Sequence, residues 1–200
     1  MEVELFELVG DGDRRFSPYC WRTRMALAHK GIAAEYLPVG FTEKDKIAFS
    51  GQELVPVLRV DGKVVSDSWE IACWLEENFP DRRSLFGGAI GKGQARFFHE
   101  WAPHMLAPVM RTILMDIFDR VRPEDRDYFR ASREARFGKT LEQLDATRGE
   151  YRDAIDKGLA PLRALLARQP FLCGDAPAYA DYILFGHFQT VAIVSPEAVI

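Results

Sequence analysis

The sequence predicts an α/β domain followed by an all-α domain, and three observations carry this. Short strand and helix patterns alternate through residue 80, with Asp61-Gly62 between the last two strands as a strong hairpin signal. A polar, glycine-rich stretch follows at 81–92, running from Asp81-Arg82-Arg83 through Gly87-Gly88. Beyond it the strand signal disappears and only helix-compatible stretches remain. The division is therefore a mixed-sheet domain at 1–80, a linker at 81–92 and a helical bundle at 93–200.

Taken in order, Val3–Leu8 is a strand and Gly10–Arg15 a turn-rich loop. Ser17 is a good N-cap. Pro18 suits the first helical position, where its missing N–H would be unbonded anyway. The helix runs through Trp21–Lys30, and Gly31 stands at the C′ position. Glu35–Val39 is a second strand, and Glu43–Phe49 a short helix or irregular turn. Val55–Val60 and Lys63–Ser66 flank Asp61-Gly62 as a hairpin. In Ser68–Asn78, Ile71, Trp74 and Leu75 share one helical face, and Pro80 ends the run. A closing hairpin cannot continue a parallel sheet, so the sheet must be mixed.

In the second domain Gln94–Val121 is a long helical stretch that Pro103 and Pro108 should kink or break. Pro123–Gly158 is highly charged and helix-compatible. Ile155, Leu159, Leu162 and Leu166 share a face, although Gly158 and Pro161 interrupt the run. Tyr182–Val194 is apolar enough to be the centre of the second core. A new element is expected after Pro196, which would leave the helical domain incomplete at Ile200.

Composition excludes several functions. Two hundred residues with 48% hydrophobic and 28% charged side chains suit a globular protein with a real core. A net charge of −4 offers nucleic acid no basic footprint. No apolar run approaches the roughly 20 residues that span a bilayer, and Met1-Glu2-Val3-Glu4 is acidic where a signal peptide is basic. Cys20, Cys73 and Cys173 are odd in number and far apart, which fits a reducing cytoplasm. His99 and His104 are off the i, i+4 spacing of a helical metal pair, so no metal is expected. Gly87–Gly93 is one residue short of a phosphate loop, ends on Gly93 where Ser or Thr belongs, and follows no strand.

Ser17-Pro18-Tyr19-Cys20 carries the chemistry. It sits at a helix N-terminus, where free N–H groups and the helix dipole favour negative charge. The pattern resembles the Cys-Pro-x-Cys start of thioredoxin-like redox proteins, with Ser in place of the first Cys. A hydroxyl cannot form a disulfide, but it can hydrogen-bond a thiolate brought by something else, most simply glutathione. A free thiol titrates near pH 8.5. A hydrogen bond to the anion is worth roughly 1.5–3 kcal/mol and the dipole roughly 0.3–1 kcal/mol, enough to make thiolate the major form near pH 7. Ser17 is therefore a thiolate stabiliser rather than a nucleophile.

Together with two further motifs, this stretch resembles the serine-type glutathione transferases. Val55-Pro56-Val57 is similar to the family's Val-Pro, which implies a cis Pro56 and a Val55 backbone that pairs with the cysteinyl part of glutathione. Asp67-Ser68 is similar to the family's acidic-Ser pair, which implies that Asp67 meets the γ-glutamyl ammonium and Ser68 its carboxylate. The resemblance implies a thioredoxin-like sheet domain, a helical bundle and a homodimer. A closer likeness is to bacterial glutathione-dependent β-etherases and the fungal ether-metabolism class. It rests on Ser17–Thr23, Gly40-Phe41-Thr42, Asp67-Ser68-Trp69, Asp127-Tyr128, Ser132-Arg133-Glu134 and Tyr179-Ala180-Asp181-Tyr182. Two departures stand out. Ala178 replaces the Ser/Thr of the capping box before Asp181, a loss of about 1 kcal/mol. The Gly10–Arg15 loop is longer than in many relatives and is expected to cover or widen the site.

The expected activity is attack of an activated glutathione thiol on a hydrophobic, aromatic electrophile, with β-aryl ether cleavage the favoured chemistry. Tyr19, Trp101 and Met105 are expected near the entrance for that co-substrate. The alternatives are a glutathione-dependent isomerase or dehalogenase of the same fold, a non-catalytic carrier of hydrophobic ligands, and a glutaredoxin-like reductase acting through Cys20. A buried structural role for Cys20 is the expectation set against that last one.

Overall fold

The computed structural model describes residues 1–197; the element expected after Pro196 lies outside the described residues. Strands β1 (Val3–Leu8), β2 (Glu35–Val39), β3 (Val57–Val60) and β4 (Lys63–Ser66) form one sheet in the order β2-β1-β3-β4. Helix α1 (Pro18–Lys30) makes the crossover that parallel strands require, joining β1 to the parallel β2. β3 runs antiparallel to both β1 and β4, so the sheet is mixed as expected. Asp61 and Gly62 turn the hairpin with φ of 47° and 83°, the left-handed pair a tight hairpin needs. The strand expected from Val55 begins at Val57, after a cis Val55–Pro56 peptide. The segment Lys44–Ser50 is three-ten rather than α-helical.

Side chains alternate across the pleat. Leu5 and Leu58 point into a core shared with Leu27 of α1 and with Ile71 and Leu75 of α2 (Ser68–Asn78). Phe6 and Val57 face the other way and join Val39 and Ile47 in a smaller cluster.

The linker is shorter and better anchored than its composition suggests. Helix α3 (Ala89–Met105) begins within it, and Leu85 and Phe86 are buried. The Glu76 carboxylate accepts the Ser84 hydroxyl and, at 2.9 Å, the Leu85 N–H. At Gly91 a Cβ would meet the Phe86 carbonyl oxygen at 1.8 Å, so this glycine serves close approach rather than flexibility.

Pro103 stays inside α3, which ends two residues later, and Pro108 falls in the first turn of α4 (Ala107–Thr112). With α5 (Leu114–Arg120), the expected long stretch becomes three helices. α6 (Arg126–Phe137), α7 (Leu141–Ala146), α8 (Arg152–Leu166) and α9 (Tyr179–Val194) complete the bundle, and α8 continues through Pro161. α9 is the central helix, buried along most of its length and packed against α1. Half of its capping box survives without the Ser/Thr. The Asp181 carboxylate accepts the Ala178 N–H at 3.0 Å and the Leu172 N–H at 2.7 Å. No helix among the described residues is long and apolar enough to cross a membrane.

Candidate active site

Ser17 stands at the N-cap of α1 in extended backbone, with φ −67° and ψ 123°. Its Oγ accepts the Cys20 N–H at 3.3 Å, which leaves the hydroxyl proton to donate elsewhere. The second domain holds it in place. Thr190 Oγ1 on α9 donates to the Phe16 carbonyl at 2.7 Å, and at Gly186 a Cβ would stand 2.3 Å from the Pro18 carbonyl oxygen. Cys20 is buried, and burial pushes its thiol up to about 12 against the opposing Ser17 hydrogen bond. It is a structural thiol, unsuited to disulfide exchange near neutral pH.

The hairpin brings the other two motifs together. Val57 pairs with Ser66, so Pro56 and Asp67 lie side by side at the same end of β3 and β4. Asp67 takes a φ of 73° with ψ 136°, a positive-φ conformation outside the left-handed helical well that a non-glycine residue adopts only under strain. Its carboxylate caps α2 by accepting the Trp69 N–H at 2.8 Å and the Glu70 N–H at 3.2 Å. Ser68 is buried, and its carbonyl accepts the Tyr179 hydroxyl at 2.6 Å. Its own Oγ has no hydrogen-bond partner among the described residues. An orphaned hydroxyl at a helix N-terminus suits a carboxylate ligand. Arg22 is wholly buried behind these groups, with its guanidinium 4.5 Å from the Tyr19 ring centre and Nη1 3.4 Å from His99 Nδ1. Burial lowers its pKa, and Tyr179, Tyr19 and Asp67 act in the opposite direction.

A cavity of about 460 Å³ opens between the two domains. Ser17, Tyr19 and Val55 line it from the sheet domain, and Met110, Leu114, Phe129 and Phe137 from the helical one. Pro56, Asp67 and Ser68 lie outside this lining, next to it through Val55 and the hairpin. Tyr19 belongs to the cavity lining, whereas Trp101 and Met105 do not. Trp101 packs on Phe97 and Phe98, and Met105 Sδ lies 2.6 Å from where a Cβ of Gly158 would stand. These two share a face of α3 that turns away from the cavity, and Pro103 lines it instead. The Gly10–Arg15 loop does not reach the lining either. Arg15 ties it to Glu7 and Asp13, both at 2.6 Å.

Phe41, Tyr128 and Arg133 entered the sequence argument only as points of likeness, and all three reach the cavity. The Phe41 segment is clamped to the helical domain. The buried Asp125 accepts the Thr42 N–H at 2.9 Å and its hydroxyl at 2.6 Å, and Arg122 Nε donates to it at 2.9 Å. Burial pushes this carboxyl up, but Thr42 and Arg122 outweigh it and hold its pKa below the usual range. His187 also lines the cavity, edge-on to Tyr19 at 6.4 Å, with Nδ1 3.0 Å from the Ile183 carbonyl. Burial, then the nearby Arg22, bring its pKa down to about 4, so it is neutral at pH 7. Nothing in the sequence marks His187, because its neighbours come from the other domain.

Comparison with known proteins agrees with this arrangement. Residues 16–78 match the glutathione S-transferase N-terminal domain and residues 94–199 the C-terminal domain. The chain is 30% identical over 172 residues to a maleylpyruvate isomerase of Ralstonia sp, covering 82% of this chain and 73% of that one. It is 26% identical to glutathione S-transferase omega-1 of Mus musculus, covering 88% of this chain and 63% of the relative. A glutathione transferase structure from Phanerochaete chrysosporium superposes with a TM-score of 0.88 at 24% identity, covering 98% and 86% of the two chains. One from Ceriporiopsis subvermispora, in complex with glutathione, gives 0.85 at 24% identity, covering 100% and 89%. With both domains matched in order and a serine hydroxyl at the first helix's N-terminus facing the cleft between them, the chain belongs to the glutathione S-transferase family.

Proposed function

We propose that this protein is a glutathione transferase in which Ser17 stabilises the glutathione thiolate for attack on an aromatic electrophile held in the interdomain cavity. The observation that carries the reading is the Ser17 hydroxyl at the α1 N-terminus, on the wall of a cavity also lined by Val55 and by aromatic rings. Glutathione supplies the thiol that acts as nucleophile. Ser17 donates its hydroxyl proton to the sulfur, and the α1 dipole favours the anion. The Val55 backbone binds the peptide, Asp67 meets the glutamyl ammonium, and the Ser68 hydroxyl meets its carboxylate at the α2 N-terminus. Phe41, Phe129 and Phe137 exclude water and hold the electrophile's apolar body. β-Aryl ether cleavage is the favoured chemistry, from the motif likeness. Isomerisation is a second reading, supported by the similarity to the Ralstonia enzyme. The two differ in bookkeeping: ether cleavage consumes glutathione, whereas isomerisation returns it. A homodimer fits the same reading. Ile90 and Phe97, seven residues apart on α3, are 82% and 61% exposed and offer apolar surface for such a contact.

Ultraviolet titration of the bound thiolate, wild type beside Ser17→Ala, tests the proposal. The expected bound-thiol pKa is about 7 or below, rising by about one to two units in the variant. No glutathione binding, or a pKa indifferent to the substitution, sinks the role of Ser17.

A further inference from the structure

The helical wall of the cavity carries charge that no carboxylate among the described residues pairs with. Its charged lining is Lys44, Arg111, Arg133 and Arg136 against a single carboxylate, Glu53. Lys44 pairs with Glu53 at 2.6 Å. Among the described residues none of the three arginines makes a salt bridge. They are clustered: Arg111 and Arg136 each lie 5.5 Å from the Phe137 ring centre, and Arg133 lies 4.6 Å from that of Phe129. Arg111 Nε is buried without a hydrogen-bond partner. Burial, then repulsion from Arg136, lowers the pKa of Arg133.

Guanidinium groups held together among aromatic rings repel one another and are poorly hydrated, and an anion relieves both penalties. Their planar forks match a carboxylate with two parallel bonds. The apolar lining selects an organic body over a bare inorganic ion.

We propose that the electrophile taken by this cavity bears a carboxylate, which Arg111, Arg133 and Arg136 bind while its aromatic or unsaturated body lies against Phe129 and Phe137. This rests on reading the cavity as the electrophile's site, but its test needs neither glutathione nor turnover.

Isothermal titration of the full chain at low salt with 4-phenylbutanoate, its neutral analogue 4-phenylbutanamide and inorganic phosphate measures the preference directly. The acid is expected to bind at least about tenfold tighter than the amide and tighter than phosphate. Arg133→Gln and Arg136→Gln should each remove most of that margin, with circular dichroism confirming the fold. Arg136 is exposed, so its replacement keeps the test valid if Arg133→Gln fails to fold. Equal affinity for acid and amide, binding of neither, phosphate as good as the acid, or a preference that survives both variants would each overturn the proposal. A failed thiolate titration on Ser17 leaves this result standing, so the two readings fail separately.

Discussion

Acidification should loosen the interdomain contact through His187. The side chain is 3% exposed, and its pKa falls from 6.5 to about 4 on folding. Its charged form is disfavoured in the native state, so the unfolded chain takes up the proton first as pH falls. The native advantage is complete above pH 6.5 and is lost between there and pH 4. A shift of this size corresponds to about 3 kcal/mol in all, of which about 2 kcal/mol is gone by pH 5. Urea denaturation at pH 7 and pH 5, at one protein concentration, measures the loss. His187→Leu separates it from other groups: His29 and His99 also have lowered pKa values, but they are present in both proteins and cancel. Wild type should lose about 2 kcal/mol more than the variant over this interval. Equal losses would mean that His187 is protonated, or solvated, in the native state, and the assignment of a neutral histidine to the cavity wall would be wrong.

Ser68→Ala removes a buried hydroxyl that has no hydrogen-bond partner among the described residues, so thermal unfolding should be unchanged or slightly raised, while calorimetry should show glutathione affinity falling about tenfold. Gly186→Ala sets a methyl against the Pro18 carbonyl and should cost about 1–3 kcal/mol in urea denaturation, with weaker thiolate stabilisation as α1 is pushed aside. Asp125→Ala leaves the Thr42 N–H and hydroxyl without their acceptor, while Arg122 keeps Glu43 at 3.2 Å, and should cost about 2 kcal/mol at pH 7. Because the folded pKa of Asp125 lies below its ordinary value, that contribution is present above about pH 4 and disappears as pH falls through the folded pKa. Wild type and variant stabilities should therefore converge in acid, as denaturation curves between pH 6 and pH 3 would show.

The motifs of the first domain were legible because their causes are local. A Ser-Pro cap and an Asp-Gly turn each act through the backbone of a few neighbouring residues, and both took the expected form, as did the cis Pro56 that the family resemblance implied. The linker was misjudged at its end because composition weighs residues equally, whereas the burial of Leu85 and Phe86 decides where the chain is pinned. The co-substrate residues were harder. Trp101 and Met105 have suitable side chains, but which face of α3 meets the cavity depends on how α3 packs against α9 and α4. Sequence periodicity does not state that angle.

The sequence by itself determined the element order of the first domain, the need for a mixed sheet and the serine that caps α1. These follow from dihedral preferences and short-range hydrogen bonds, which neighbouring residues set. Only the tertiary structure decided what stands opposite Ser17. The close approach of Gly186 to Pro18, the clamp of Asp125 on Thr42, the neutral His187 and the uncompensated arginines of the helical wall all join residues far apart in the chain. Burial and unscreened charge depend on three-dimensional proximity, so these features exist only once the two domains are packed together.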